Sequence, residues 1–272
     1  MVLRSSLPLS SILLNSEAWV NLSHHNIRSL EQIDESLLTK ILECDAITSN
    51  AMKYLELGVY PIRFELMKRK ILYLQYILKQ EKPSMIFHVL KATCENPIKN
   101  DFVKTCENYL EELDIKLSFQ EIGNMSQWTF KRLVKEKSKT AGLKYLIGQK
   151  ERQTKPSSIH YDDLNIQEYF IGGNCKKNLS KLIFKARSKT LDIKTQQKWK
   201  YADKICIGCK IKEEPGEEIL ICENLNKQNR DAIKPIDYNW FYKNKVSDIV
   251  KVGLLLDRGL KQRDKIVESG VT

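Results

Sequence analysis

The chain has 272 residues with 42% apolar content, long enough for one large or two ordinary domains around a real core, which argues against general disorder. Forty-five lysines and arginines stand against 34 aspartates and glutamates, a formal charge of +11. That surplus favours a densely anionic partner: RNA or DNA first, because each cation laid on a phosphate releases condensed counterions, and an anionic membrane surface second. A solvated basic surface without a partner is the plain alternative.

Seven cysteines, an odd number scattered over a chain of this size, argue for a reducing intracellular compartment, nucleus or cytoplasm, and against a disulfide framework. The apolar run Leu7 to Leu14 follows Arg4 but is interrupted by Ser10 and Ser11 and lacks a small-residue cleavage site, so secretion is not expected. No apolar stretch approaches the roughly 20 residues that span a bilayer, and no membrane partner is expected.

From Asn26 to Cys44, apolar residues recur at three- and four-residue steps (Ile27, Leu30, Ile33, Leu37, Leu38, Ile41), the period of an amphipathic helix, with His24 and His25 read as loop residues ahead of it. A second helix should open at Pro61 and run through Leu78 until Lys82 and Pro83 stop it. Its Arg63, Lys68, Arg69 and Lys70 can track a phosphate backbone beside Tyr73 and Tyr76, or they can be snorkelling side chains. Helical patterns follow at Met85 to Thr93 and at Phe102 to Leu113.

Ser126 is a plausible cap for a long helix that carries Phe130, Leu133, Val134, Ala141 and Tyr145 on one face and Lys131, Arg132 and Lys135 among its cations, ending near Gly148. Gln149 to Ser158 reads as a linker. A third basic helical block is expected over Lys181 to Lys194, with Lys181, Lys185, Arg187 and Lys189 around Leu182, Ile183 and Phe184. Near the C-terminus Ile249, Val252, Leu256 and Leu260 fall on one helix face, with Lys261, Arg263 and Lys265 in the last turns, where the helix dipole favours cations. Strand-like alternation is scarce, so the fold expected is mainly α: a helical bundle, then basic helices, then a small cysteine-containing module.

Two strings invite chemistry. In Ile159 to Leu164, Tyr161 sits directly before Asp162 and Asp163, whereas the two-metal polymerase turn needs one residue between tyrosine and aspartates and a third carboxylate upstream. Asp162 and Asp163 instead resemble first-turn helix carboxylates. The stronger pattern is Cys206-Ile-Gly-Cys209 followed by Glu218 and Cys222: two thiols on a tight turn and two further ligands one helical turn apart, the grammar of a small tetrahedral zinc site. A reduced cysteine turn beside a helix with core Ile219, Leu220 and Ile221 explains the same residues. No phosphate-binding glycine loop, nucleophile elbow or metalloprotease motif is present, so no catalytic residues are expected.

Taken in order, Leu14-Asn-Ser-Glu-Ala-Trp19, the stretch Leu30 to Leu38, Tyr54-Leu-Glu-Leu-Gly58, Pro61-Ile-Arg63 and the stretch Tyr73 to Leu78 resemble the region after the polymerase palm in non-LTR (LINE-type) retrotransposon reverse transcriptases. Asn96 to Asp101, Ile115 to Phe119, Gln167-Glu-Tyr169, Lys185-Ala-Arg187, Leu191 to Lys194 and the Cys206 to Cys222 block resemble the same proteins' C-terminal part. The resemblance covers nearly the whole chain. It implies a thumb-like helical region over 1–82, a basic helical region over 83–200, a zinc-knuckle-like module over 201–226 and a helical tail over 227–272. It departs from the family in two ways: fingers, palm and endonuclease are missing, and Glu218 stands where the family's tail motif has histidine.

The resemblance thus implies a non-catalytic nucleic-acid-binding fragment that holds template and primer, or target DNA, through backbone contacts, with a polymerase palm as its partner in a full-length parent. The rival expectation is a host-retained helical scaffold whose basic surface meets an acidic protein.

Overall fold

The computed structural model describes residues 8–19, 22–80, 84–96, 101–152, 159–194, 196, 203–215, 219–220, 222, 224–225 and 245–269. In chain order these form α1 (Pro8–Ile12), α2 (His24–Leu42), α3 (Asn50–Leu57), α4 (Ile62–Leu78), α5 (Met85–Glu95), α6 (Phe102–Glu112), α7 (Phe119–Asn124), α8 (Gln127–Glu151), α9 (Lys177–Arg187) and α10 (Val246–Glu268). Single 3-10 turns lie at Ser16–Ala18 and Glu168–Phe170. The only β pairing among the described residues is one antiparallel bridge, Ile205 with Glu213. The fold is mainly α, as the periodicity predicts.

Short polar side chains set most of the helix starts by accepting the backbone N–H three residues on, which satisfies a donor that the helix cannot. Ser84 does this for α5, Asp101 for α6 and Ser126 for α8. At α7, Ser118 and Glu121 form a reciprocal capping box, Glu121 accepting the Ser118 N–H at 2.7 Å. Ser23 accepts the Asn26 N–H at 3.1 Å, so α2 opens at His24 and the two histidines are its first residues rather than a preceding loop.

The chain divides into two compact units, Met1–Ile41 with Gly58–Gln149, and Leu42–Leu57 with Lys150–Thr272. In the first, α4 is the central element. Phe64, Met67, Ile71, Leu74 and Ile77 pack with Val103, Cys106 and Leu110 of α6, Ile122 of α7, and Phe130 and Val134 of α8. Buried Gln75 donates to the carbonyls of Ile122 and Met125 at 3.2 and 3.1 Å, tying the end of α7 to α4. A Cβ added at Gly142 would meet Tyr60 Cβ at 2.5 Å, so α8 approaches that side chain as only glycine permits. Pro61 is the residue before α4, which ends at Leu78. Lys82 and Pro83, expected to stop it, lie outside the described residues.

In the second unit, α9 packs on α10. Ile183, Phe184 and Ala186 are buried, as are Ile249, Val252 and Leu256, and a Cβ added at Gly253 would meet Ile183 Cγ1 at 2.8 Å. Helix α3 also belongs here and is buried at every position from Ala51 to Leu57.

Three local expectations are corrected. The basic block expected to stay helical to Lys194 ends at Arg187, because Lys189 takes a left-handed φ of 56° and breaks the helix. Asp162 and Asp163 open no helix: they lie in a bend, where the Asp163 carboxylate accepts the Leu164 N–H at 2.7 Å and the Asn165 amide at 2.8 Å. The start of the expected linker, Gln149 to Glu151, is the last turn of α8, while 153–158 lie outside the described residues.

Candidate metal centre and basic surfaces

A narrow hairpin builds the cysteine site. The Cys206 N–H donates to the Lys212 carbonyl and the Glu214 N–H to the Lys204 carbonyl, both at 2.7 Å, and the Lys210 N–H closes the turn on the Cys206 carbonyl at 2.9 Å. Lys210 accepts a left-handed φ of 57° to make the reversal. This turn places Cys206 and Cys209 together and brings Cys222 against them, so that all three sulfurs lie within 4.8 Å of one another. The Sγ atoms of Cys206 and Cys222 are 3.8 Å apart. Thiolates bound at about 2.3 Å around a tetrahedral ion are separated by about 3.8 Å, so the donor set fits such an ion.

Close packing fixes this spacing. A Cβ on Gly208 would meet Cys222 Sγ at 2.9 Å and Leu225 Cγ at 2.7 Å, and the Asn224 side chain donates to the Gly208 carbonyl at 2.7 Å. Burial pushes the Cys206 thiol up to about 12, against the opposing pull of N–H groups from Cys209 and Gly208 that point at its sulfur. Those donors favour a thiolate, and a bound cation would complete what they begin. Glu218, the fourth expected ligand, lies outside the described residues, as does Ile221, while Ile219 and Leu220 are helical and buried.

Sequence reasoning missed the carboxylate beneath the turn. Glu214 is fully buried and pairs with Arg263 of α10, and it also accepts the Lys194 N–H at 3.0 Å and the Ile207 N–H, inside the cysteine turn, at 3.4 Å. Arg263 was expected to serve the helix dipole; instead it is buried on this carboxylate. The signal available was one acidic residue five positions after Cys209.

The expected phosphate-binding cations fall into two groups. On α4, Arg63 grips Glu31 with two hydrogen bonds and stacks on Tyr145 at 4.8 Å, and Lys68 and Arg69 both reach Glu65. Lys70 is buried with its ammonium on the Trp19 carbonyl, and burial lowers its pKa. On α9, Lys181 pairs with Glu43 and Lys185 lies 3.8 Å from Asp45. Lys189 is half-buried just past the helix.

Arg187 is a correction to the sequence expectation, because its guanidinium has no solvent face to offer a phosphate. It is 0% exposed and donates to Glu56 at 2.8 Å, and Glu56 also accepts the hydroxyls of Tyr161 and Tyr169. Tyr161, from the string that departs from the polymerase turn, is thus part of a buried polar cluster. Burial and the Glu56 charge raise both phenols.

Only on α8 do the expected cations face water without ion pairing among the described residues: Lys131, Arg132 and Lys135 are exposed, opposite buried Phe130 and Val134. Comparison of the chain with protein-family models, curated proteins and solved structures finds no match. No helix among the described residues is long and apolar enough to cross a membrane.

Proposed function

We propose that this chain is a non-catalytic nucleic-acid-holding protein resembling the thumb and tail of a LINE-type reverse transcriptase, with zinc held by Cys206, Cys209, Cys222 and a fourth ligand at Glu218. The observation that carries the binding reading is α8, where Lys131, Arg132 and Lys135 are exposed on the face turned from the core. Cations in that state can release counterions on contact with phosphate, whereas those already paired on α4 and α9 gain less. The colinear family strings support the same reading. The three-thiol cluster supports zinc, whose preference for soft sulfur and tetrahedral geometry matches the donors.

A mobility-shift titration tests the first part. Affinity for mixed-sequence DNA or RNA should fall with salt at a slope in log K against log salt of about −2.7 on duplex and about −2 on single strands, as three phosphate contacts imply. Replacing Lys131, Arg132 and Lys135 together by alanine should flatten that slope. Absent or salt-independent binding overturns it, and robust primer extension by the chain alone overturns the non-catalytic part. For zinc, the purified protein should carry it stoichiometrically and lose it on Cys206→Ser; metal-free protein with an unchanged melting curve after chelation overturns that reading.

A further inference from the structure

The aromatic residue at the head of the α8 stripe has no structural employment. Trp128 is 68% exposed, yet tryptophan carries more apolar surface than any other side chain and is ordinarily tucked away. Nothing in the core cluster of the first unit uses it. Its ring carries the Arg132 guanidinium at 4.7 Å from the centroid.

Position makes it part of the basic face. Trp128, Lys131, Arg132, Lys135 and Lys139 are spaced i, i+3, i+4, i+7 and i+11, one stripe of a helix about 16 Å long at 1.5 Å per residue. The opposite face holds Phe130 and Val134 in the core. Between Gln127 and Lys150 there are seven basic residues and a single acidic one, Glu136. Lys137, off this stripe, is already paired with Asp114 at 2.8 Å.

We infer that this face binds single-stranded nucleic acid, with Trp128 stacking on an unpaired base while Lys131, Arg132 and Lys135 follow the phosphates. The inference rests on the nucleic-acid reading above and narrows it to a substrate class. In a duplex the base faces are stacked on each other and out of reach of a side chain on a basic helix. In a single strand each base has a free π face, and a tryptophan next to a cationic track is the combination that holds it without reading sequence. A cation–π contact with Arg132 holds the indole ready in the exposed position.

The test uses the full chain, with fluorescence anisotropy on labelled oligo-dT, oligo-U and a duplex of matching length. The wild type should bind the single strands more tightly than the duplex. Trp128→Ala should weaken single-strand binding about 5- to 150-fold, leave duplex binding unchanged, and be largely rescued by Trp128→Phe. Loss confined to oligo-U or to oligo-dT supports the face and assigns the sugar it takes. Because the indole is exposed, circular dichroism of the alanine variant should match the wild type. Unchanged single-strand affinity in Trp128→Ala, or wild-type preference for duplex, overturns the inference. Failure of the parent reading looks different: the alanine triple variant at Lys131, Arg132 and Lys135 would then behave as wild type on every probe.

Discussion

Glu214 and Arg263 lie 49 residues apart and meet as a two-pronged ion pair, Nε on Oε1 at 3.0 Å and Nη2 on Oε2 at 3.1 Å, both side chains buried. The same carboxylate accepts the Ile207 N–H from the cysteine turn, so the α10 guanidinium fixes the support on which the thiols rest. Arg263→Ala leaves an uncompensated buried charge and should destabilise the second unit by about 3–5 kcal/mol, measured by urea unfolding. Metal affinity should fall with it. Replacing both partners by apolar residues of similar volume should restore much of the stability, because it removes the desolvation cost as well as the attraction; a double variant no better than Arg263→Ala would contradict that account.

Arg187 offers a second charge test. Its pair with Glu56, joined by Tyr161 and Tyr169, is fully enclosed. Arg187→Ala should destabilise by about 3–5 kcal/mol, while Lys135→Ala, at an exposed position, should change stability by less than about 0.5 kcal/mol. Arg187→Lys should not rescue fully, since an ammonium lacks the planar fork. A stable Arg187→Ala protein with selectively weakened nucleic-acid binding would overturn the structural role.

These two pairs also show where sequence reading stops. The periodicity of α2, α4, α8 and α10 and the Cys206-Cys209 turn were legible because each is a local pattern. Helix α3 escaped because Asn50–Leu57 is only eight residues long, too short for the Asn50, Lys53 and Glu56 spacing to establish a period, and because Lys53 and Glu56 are buried where a sequence would put them in water. Arg187 and Lys70 read as surface cations because a sequence displays a charge but not its partner, here Glu56, 131 residues away, and the Trp19 carbonyl. Lys131, Arg132 and Lys135 differ from them only in what the fold places opposite, and Trp128 was visible in the sequence but acquires meaning from its exposure.

Gly208 tests the thiol geometry. Its missing side chain admits Cys222 Sγ to 2.9 Å from where a Cβ would stand, so Gly208→Ala must push Cys222 or Leu225 outward. The expected outcome is loss of the tight tetrahedral site, read as a weakened thiolate charge-transfer band when cobalt(II) is added. A full-strength band would show that the turn yields without cost.

Acid should loosen the tie between Glu43 and α9. Side-chain hydrogen bonds from Lys177 and Lys181 hold the Glu43 carboxyl at about 2, below its ordinary 4.5. Because the folded value is the lower one, the contribution is fully present above about pH 4.5 and is lost as the pH falls through about 2. The group is exposed, so high salt should blunt the effect at every pH. The check is the stability difference between wild type and Glu43→Gln: positive at neutral pH, shrinking as the pH falls through that window, and small throughout in concentrated salt. A difference that instead grew on acidification would mean that the carboxylate is destabilising where it stands.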